Sequence, residues 1–126
     1  MKSSPTILIV DDFEDARDLM VMIFAGAGYT ALTAANGEEA LSVARTGRPD
    51  FVLMDIFMPV MDGVQSTRMF KEDPVLSHIP VIAYTAKPGP IPGGDGLFAA
   101  VCVKPCTPDE VLRVVDDVKS RLSAQG

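Results

Sequence analysis

The chain has 126 residues, 48% of them hydrophobic, a net charge of −6 and two cysteines; that length is enough for one domain with a core of its own, and a single domain over residues 1–126 is expected. The acidic balance, with no basic patch, argues against a nucleic-acid partner. No apolar run approaches a bilayer span, and Met1-Lys2-Ser3-Ser4-Pro5 leads straight into a strand pattern without the features of a secretory signal, so a cytoplasmic location without membrane attachment is expected.

In chain order, Thr6 to Val10 (TILIV) is a nearly continuous apolar run, the pattern of a strand buried on both faces. Ala16, Leu19, Met20, Ile23, Phe24 and Ala27 follow at helical spacing, and Gly28 stops that helix. Tyr29 to Thr33 reads as a second strand. Asn36-Gly37-Glu38-Glu39 has the form of an N-cap with a Glu at the third helical position, opening a second helix that ends near Gly47. Phe51 to Met54 is a third buried strand, followed by a loop with Pro59 and Asp62-Gly63 and a helix from Val64 to about Glu72. His78, the single histidine, falls in a Ser-His-Ile-Pro stretch and reads as a surface loop residue. Pro80 opens a fourth strand, Val81 to Tyr84, and Ala99 to Val103 is the fifth. Thr107-Pro108-Asp109-Glu110 is a strong helix start, after which Val111, Val114, Val115, Val118 and Leu122 line one face.

Strands alternating with helices imply crossover connections, hence a doubly wound α/β domain with a five-stranded parallel sheet. One segment breaks the alternation. Pro88 to Gly96 (PGPIPGGDG) holds three Pro and four Gly, and at about 3 kcal/mol per interior Pro and 1 per Gly no regular helix survives there. The slot between the fourth and fifth strands is expected to be a loop, with at most a short turn near Leu97 and Phe98. Cys102 and Cys106 read as two buried thiols, since zinc would need more ligands than the chain supplies.

Ligands of open parallel sheets bind beyond the carboxyl ends of the strands, where strand order reverses. The first strand ends in Asp11-Asp12, the third in Asp55, the fourth in Thr85 and the fifth in Lys104-Pro105. In the order 2-1-3-4-5 the first and third strands are neighbours at the reversal point, so three carboxylates converge there, flanked by a hydroxyl and an ammonium. A single Asp after a strand is often only a cap or turn residue. Three like charges in one place repel one another and call for a hard divalent cation such as Mg²⁺ (or Mn²⁺).

The motifs ILIVDD, LMDIFMPVMDG, AYTA and VKP, in that order and spacing, resemble the receiver domain of two-component response regulators, with its flavodoxin-like fold. The second motif, close to M-D-x-x-M-P-x-M-D-G, is the most specific, and the resemblance covers nearly the whole chain. It implies that Asp55 accepts a phosphoryl group and that Asp12, Asp55 and the backbone carbonyl of Phe57 hold the cation, with Asp11 helping through water. It further implies that Lys104, preceding a cis proline bond, pairs with a phosphoryl oxygen, and that Thr85 hydrogen-bonds another. Phe57 and Lys87, two residues beyond the acceptor and the Thr, would tune the phosphoryl lifetime, a bulky Phe57 screening it from water. The donor would be a sensor histidine kinase, a phosphotransfer protein or a small acyl phosphate, and the output a protein target. Such a domain is no enzyme beyond assisting its own phosphorylation and dephosphorylation.

Two departures stand out. The aromatic residue usual three positions before the Lys is Val101 here, with Phe98 or Tyr84 as substitutes, and the Gly/Pro-rich loop replaces the fourth helix. The Pro88 to Gly96 loop fits either switching between order and disorder or a fixed, Pro-stiffened form. Both departures keep open an alternative function, a receiver-fold binding module that does not use phosphorylation. A phosphohydrolase with an Asp nucleophile would need a second Asp where Phe57 stands.

Overall fold

A computed structural model describes residues 4–58, 60–86, 89–91, 93–94 and 96–125, the side chains of 123–125 excepted. The elements are β1 (Thr6–Val10), α1 (Glu14–Gly26), β2 (Thr30–Ala34), α2 (Gly37–Gly47), β3 (Phe51–Asp55), α3 (Gly63–Glu72), β4 (Val81–Thr85), β5 (Ala100–Val103) and α4 (Pro108–Gln125). All strand pairs are parallel, in the order β2-β1-β3-β4-β5.

Alternation along the central strands divides the core in two. Leu8, Val10, Val52, Met54 and Val81 face α2 and α3, packing on Leu41, Ala44 and Phe70. Ile7, Ile9, Leu53, Ile82 and Tyr84 face the other way, against Met20 and Phe24 of α1 and Val111, Val115 and Val118 of α4. Every residue of β1, β3 and β4 is buried, which explains why these strands are apolar runs instead of alternating patterns.

The expected caps form. The Asn36 side chain accepts from the Glu39 amide at 2.8 Å, and the Thr107 hydroxyl from the Glu110 amide at 3.1 Å. Asp62 caps α3 by accepting from the Gln65 amide at 2.8 Å. No helix forms between β4 and β5 among the described residues. The loop there turns through Gly94 N–H to the Ile91 carbonyl (2.8 Å) and Leu97 N–H to the Gly94 carbonyl (3.1 Å), and Arg68 of α3 donates to the Gly93 carbonyl at 2.6 Å. Lys87 lies outside the described residues. His78 is exposed in the turn after α3.

Several expectations need correcting. β2 starts at Thr30, because the Tyr29 amide still bonds back to Phe24 and its ring packs edge-on against Phe24. Leu19 and Leu122 sit at helical spacing yet are 54% and 44% exposed. Leu19 flanks the Met20–Phe24 stripe of α1, and Leu122 continues the Val111–Val115–Val118 line of α4 one turn past its last buried residue. Cys102 and Cys106 are not two separate buried thiols. The chain reverses between β5 and α4, and the structure joins them in a disulfide across a Cα–Cα distance of 6.9 Å, Cys102 buried and Cys106 half-buried.

Candidate functional site

The parallel sheet delivers the carboxyl ends of β1 and β3 side by side, with Val10 paired to Met54. The residues that follow at this end are Asp11, Asp12 and Asp55. One carboxylate oxygen from each lies within 4.8 Å of the others. Asp11 and Asp55 are buried and Asp12 is exposed, so the cluster is a shallow cup open on the Asp12 side.

The cup is built from short-range contacts. The Asp11 carboxylate accepts the Phe13 amide at 3.0 Å, and Arg17 from the first turn of α1 donates to the Asp11 carbonyl at 2.8 Å. On the other side Gly63 N–H bonds to the Ile56 carbonyl at 2.9 Å. A Cβ at Gly63 would collide with the Asp55 carbonyl oxygen and come within 2.8 Å of the Ile56 Cα. The glycine of the M-D-G motif is therefore required by the close approach of α3 to the chain leaving β3, since only hydrogen fits there. Next to it, Val60 has φ 72°, in the left-handed region that β-branched residues seldom enter.

Lys104 closes the cup. Its Nζ lies 3.5 Å from Asp11 Oδ2 and 3.6 Å from Asp55 Oδ1. The Lys104–Pro105 bond is cis, and the Lys104 amide extends the β4–β5 ladder by donating to the Thr85 carbonyl at 2.7 Å. Thr85 ends β4 at the same end of the sheet and is buried.

Burial is the main reason that the Asp55 carboxyl is pushed up to about 6. Lys104 opposes that rise, Asp11 and Asp12 add to it, and a hydrogen bond from the Phe57 amide opposes it. The group is thus mainly ionised at neutral pH, and it is held in a place that disfavours its charge. That is a carboxylate short of positive charge. The oxygen-only donor set, the open side and the raised Asp55 fit a hard divalent cation that keeps some of its water. The residues whose oxygens converge to hold it are Asp11, Asp12 and Asp55.

The structure therefore brings together Asp11, Asp12, Asp55 and Lys104. The Phe57 backbone faces Asp55, whereas its ring is 52% exposed and lines a neighbouring groove of about 560 Å³ together with Val64, Arg68 and Ile91. Val101 is also exposed. Of the two aromatic substitutes, Phe98 packs at the edge of the α2–α3 core and Tyr84 lies beneath Lys104, its ring centre 4.7 Å from Nζ. The contacts of Tyr84 with Lys104 and of Arg17 with the Asp11 carbonyl are not legible in the sequence. The signal for Tyr84 is its place beside Thr85, which becomes informative only once strand register is known.

A family model described as response regulator receiver domain matches residues 7–116. The polar-differentiation response regulator DivK of Brucella anthropi is 43% identical over 81 residues, covering 64% of this chain and 66% of that protein. DivK of Brucella ovis is 41% identical over the same length and shares. This chain's match thus spans slightly less than two thirds of the length of these curated relatives. Among solved structures, the chemotaxis response regulator CheY4 of Vibrio cholerae is 28% identical with a TM-score of 0.87, covering 92% of this chain and 99% of that one.

Proposed function

The chain belongs to the response regulator receiver domain family, and on that premise we propose that it takes a phosphoryl group on Asp55 in a two-component or phosphorelay system. Receiver domains are signalling modules that meet histidine kinases or phosphotransfer proteins. The observation that carries the proposal is the convergence of Asp11, Asp12 and Asp55 within 4.8 Å, with the Lys104 ammonium 3.6 Å from the Asp55 oxygen.

The Asp55 carboxylate is the nucleophile. One of its oxygens forms a bond to phosphorus as the bond from phosphorus to the donor breaks, and the donor leaves with the electron pair. Asp55 is buried, so little water competes for its charge. Lys104, already paired to Asp55 and Asp11, meets the charge that spreads over the phosphoryl oxygens during transfer. A bound Mg²⁺ or Mn²⁺ would supply the remaining positive charge against the carboxylates and phosphoryl oxygens. Thr85, at the end of the neighbouring strand, is the hydroxyl assigned to the product phosphate. Phe57 and Lys87 would set its lifetime. The output is binding to another protein, as for a domain that acts as a signalling module.

The test is incubation with acetyl phosphate and Mg²⁺ followed by intact mass. A gain of one phosphoryl group in the wild type and none in Asp55→Ala is expected. No gain at saturating donor and metal would instead favour a binding module that keeps the fold without using phosphate.

A further inference from the structure

The sequence offers Tyr84 only as a stand-in for the aromatic residue missing at Val101, and the chemistry above gives it no task. It stands directly opposite Asp55 of β3 and Cys102 of β5 in the sheet register. Paired positions of parallel strands share a face, so Asp55, Tyr84 and Cys102 form one row, and Lys104, two residues past Cys102, has the same parity. The Lys104 ammonium consequently lies 4.7 Å from the centre of the Tyr84 ring, 3.5 Å from Asp11 and 3.6 Å from Asp55.

Tyr84 is 9% exposed and packs within the core cluster of Ile7, Ile9, Phe24 and Leu53. Its ring is fixed, while a lysine stem has four carbons of freedom to lose. An aromatic face attracts a cation, more strongly as water is excluded. It does so without using any of the three N–H donors, which stay available to oxygens. The phenol itself is raised above its usual range, by burial and then by Asp11 and Asp55, so the ring stays neutral throughout the physiological range.

We propose that Tyr84 is a positioning residue for phosphoryl transfer, its ring face holding the Lys104 ammonium at the rim of the acidic cup. The inference rests on the receiver reading of Asp55. During transfer, negative charge moves from the Asp55 carboxylate to the phosphoryl oxygens, and Lys104 must exchange one oxygen partner for another. The ion pair to Asp55 changes in that exchange, but the ring face does not. The aromatic support therefore persists from reactant to product.

The experiment compares wild type, Tyr84→Phe, Tyr84→Leu and Asp55→Ala as full-length chains. Two readouts are taken: the labelling rate with acetyl phosphate and Mg²⁺, and the proton shift of the Lys104 ε-methylene, which a ring face displaces upfield. Tyr84→Leu should lose the upfield displacement and label more slowly, by at most about 30-fold, since a contact equal in reactant and transition state speeds transfer only by populating the Lys104 position that meets the phosphoryl oxygens. Tyr84→Phe keeps the face and should retain both properties, within about twofold in rate. Unchanged labelling in the Leu variant, or a Phe variant as slow as Leu, would overturn the proposal. If the Leu variant does not fold, an undisplaced Lys104 signal in the wild type overturns it, and a displaced one shared by Tyr84→Phe upholds the contact. If even the wild type fails to label, the receiver reading has failed, and the shift still decides whether Tyr84 holds Lys104.

Discussion

Replacing Asp55 with Asn should stabilise the protein in chelator at neutral pH. The variant keeps the shape of the side chain and an oxygen for the Phe57 amide, and it removes a charge from a buried site. Lys104 keeps Asp11 as a partner at 3.5 Å. In the fold, the Asp55 carboxyl is raised from 3.8 to about 6, first by burial and against the pull of Lys104. A shift of that size corresponds to at most about 3 kcal/mol, and the open side of the cup and its solvent reduce this to about 1–2 kcal/mol. For a domain of this size that is about 3–8 °C in Tm. The sign follows from proton counts. Between pH 4 and 6 the folded state holds the Asp55 proton more tightly than the unfolded chain, so this group's contribution to stability falls as pH rises through the window and levels off above it. Urea unfolding in chelator at pH 4, 5.5 and 7.5 measures this directly. The Asn variant should gain on the wild type from the first pH to the last. A gain that is absent at pH 7.5, or equal at all three values, would refute the account of a charge held in an unfavourable place.

Three further outcomes are expected. Asp12→Ala should melt higher than the wild type in chelator and lose the stabilisation by Mg²⁺, which for an intact site would reach about 2.7 kcal/mol at a hundredfold excess over Kd; thermal melts with and without millimolar Mg²⁺ decide this. Gly63→Ala should cost about 1–3 kcal/mol by overpacking against the chain just after β3, and it should slow acetyl phosphate labelling as well, read from the urea midpoint and intact mass. Phe57→Asn should shorten the lifetime of the phosphoryl group, followed as mass loss after donor removal, and an unchanged decay would show that the half-exposed ring does not screen the site.

Much of this protein follows from its sequence. The unbroken runs TILIV and FVLM can be satisfied only by strands covered on both faces, and that, with the intervening amphipathic helices, dictates a parallel sheet whose acidic strand ends gather at one edge. Asn36 and Thr107 mark their helix starts because capping is a local matter of one side chain and the next turn. The Pro/Gly content of residues 88–96 rules out a helix for equally local reasons. What only the tertiary structure decided depends on groups distant in sequence. The row Asp55–Tyr84–Cys102 exists through register, which places a ring beneath Lys104. Gly63 is required because the fold brings the start of α3 back against the chain leaving β3. Leu19 and Leu122 are exposed because a helix's buried stripe is set by what packs on it, and periodicity alone does not locate its edges. Likewise, the pairing of Cys102 with Cys106 and the raised Asp55 carboxyl arise from how the chain turns and how deeply it buries the group, properties of the assembled fold.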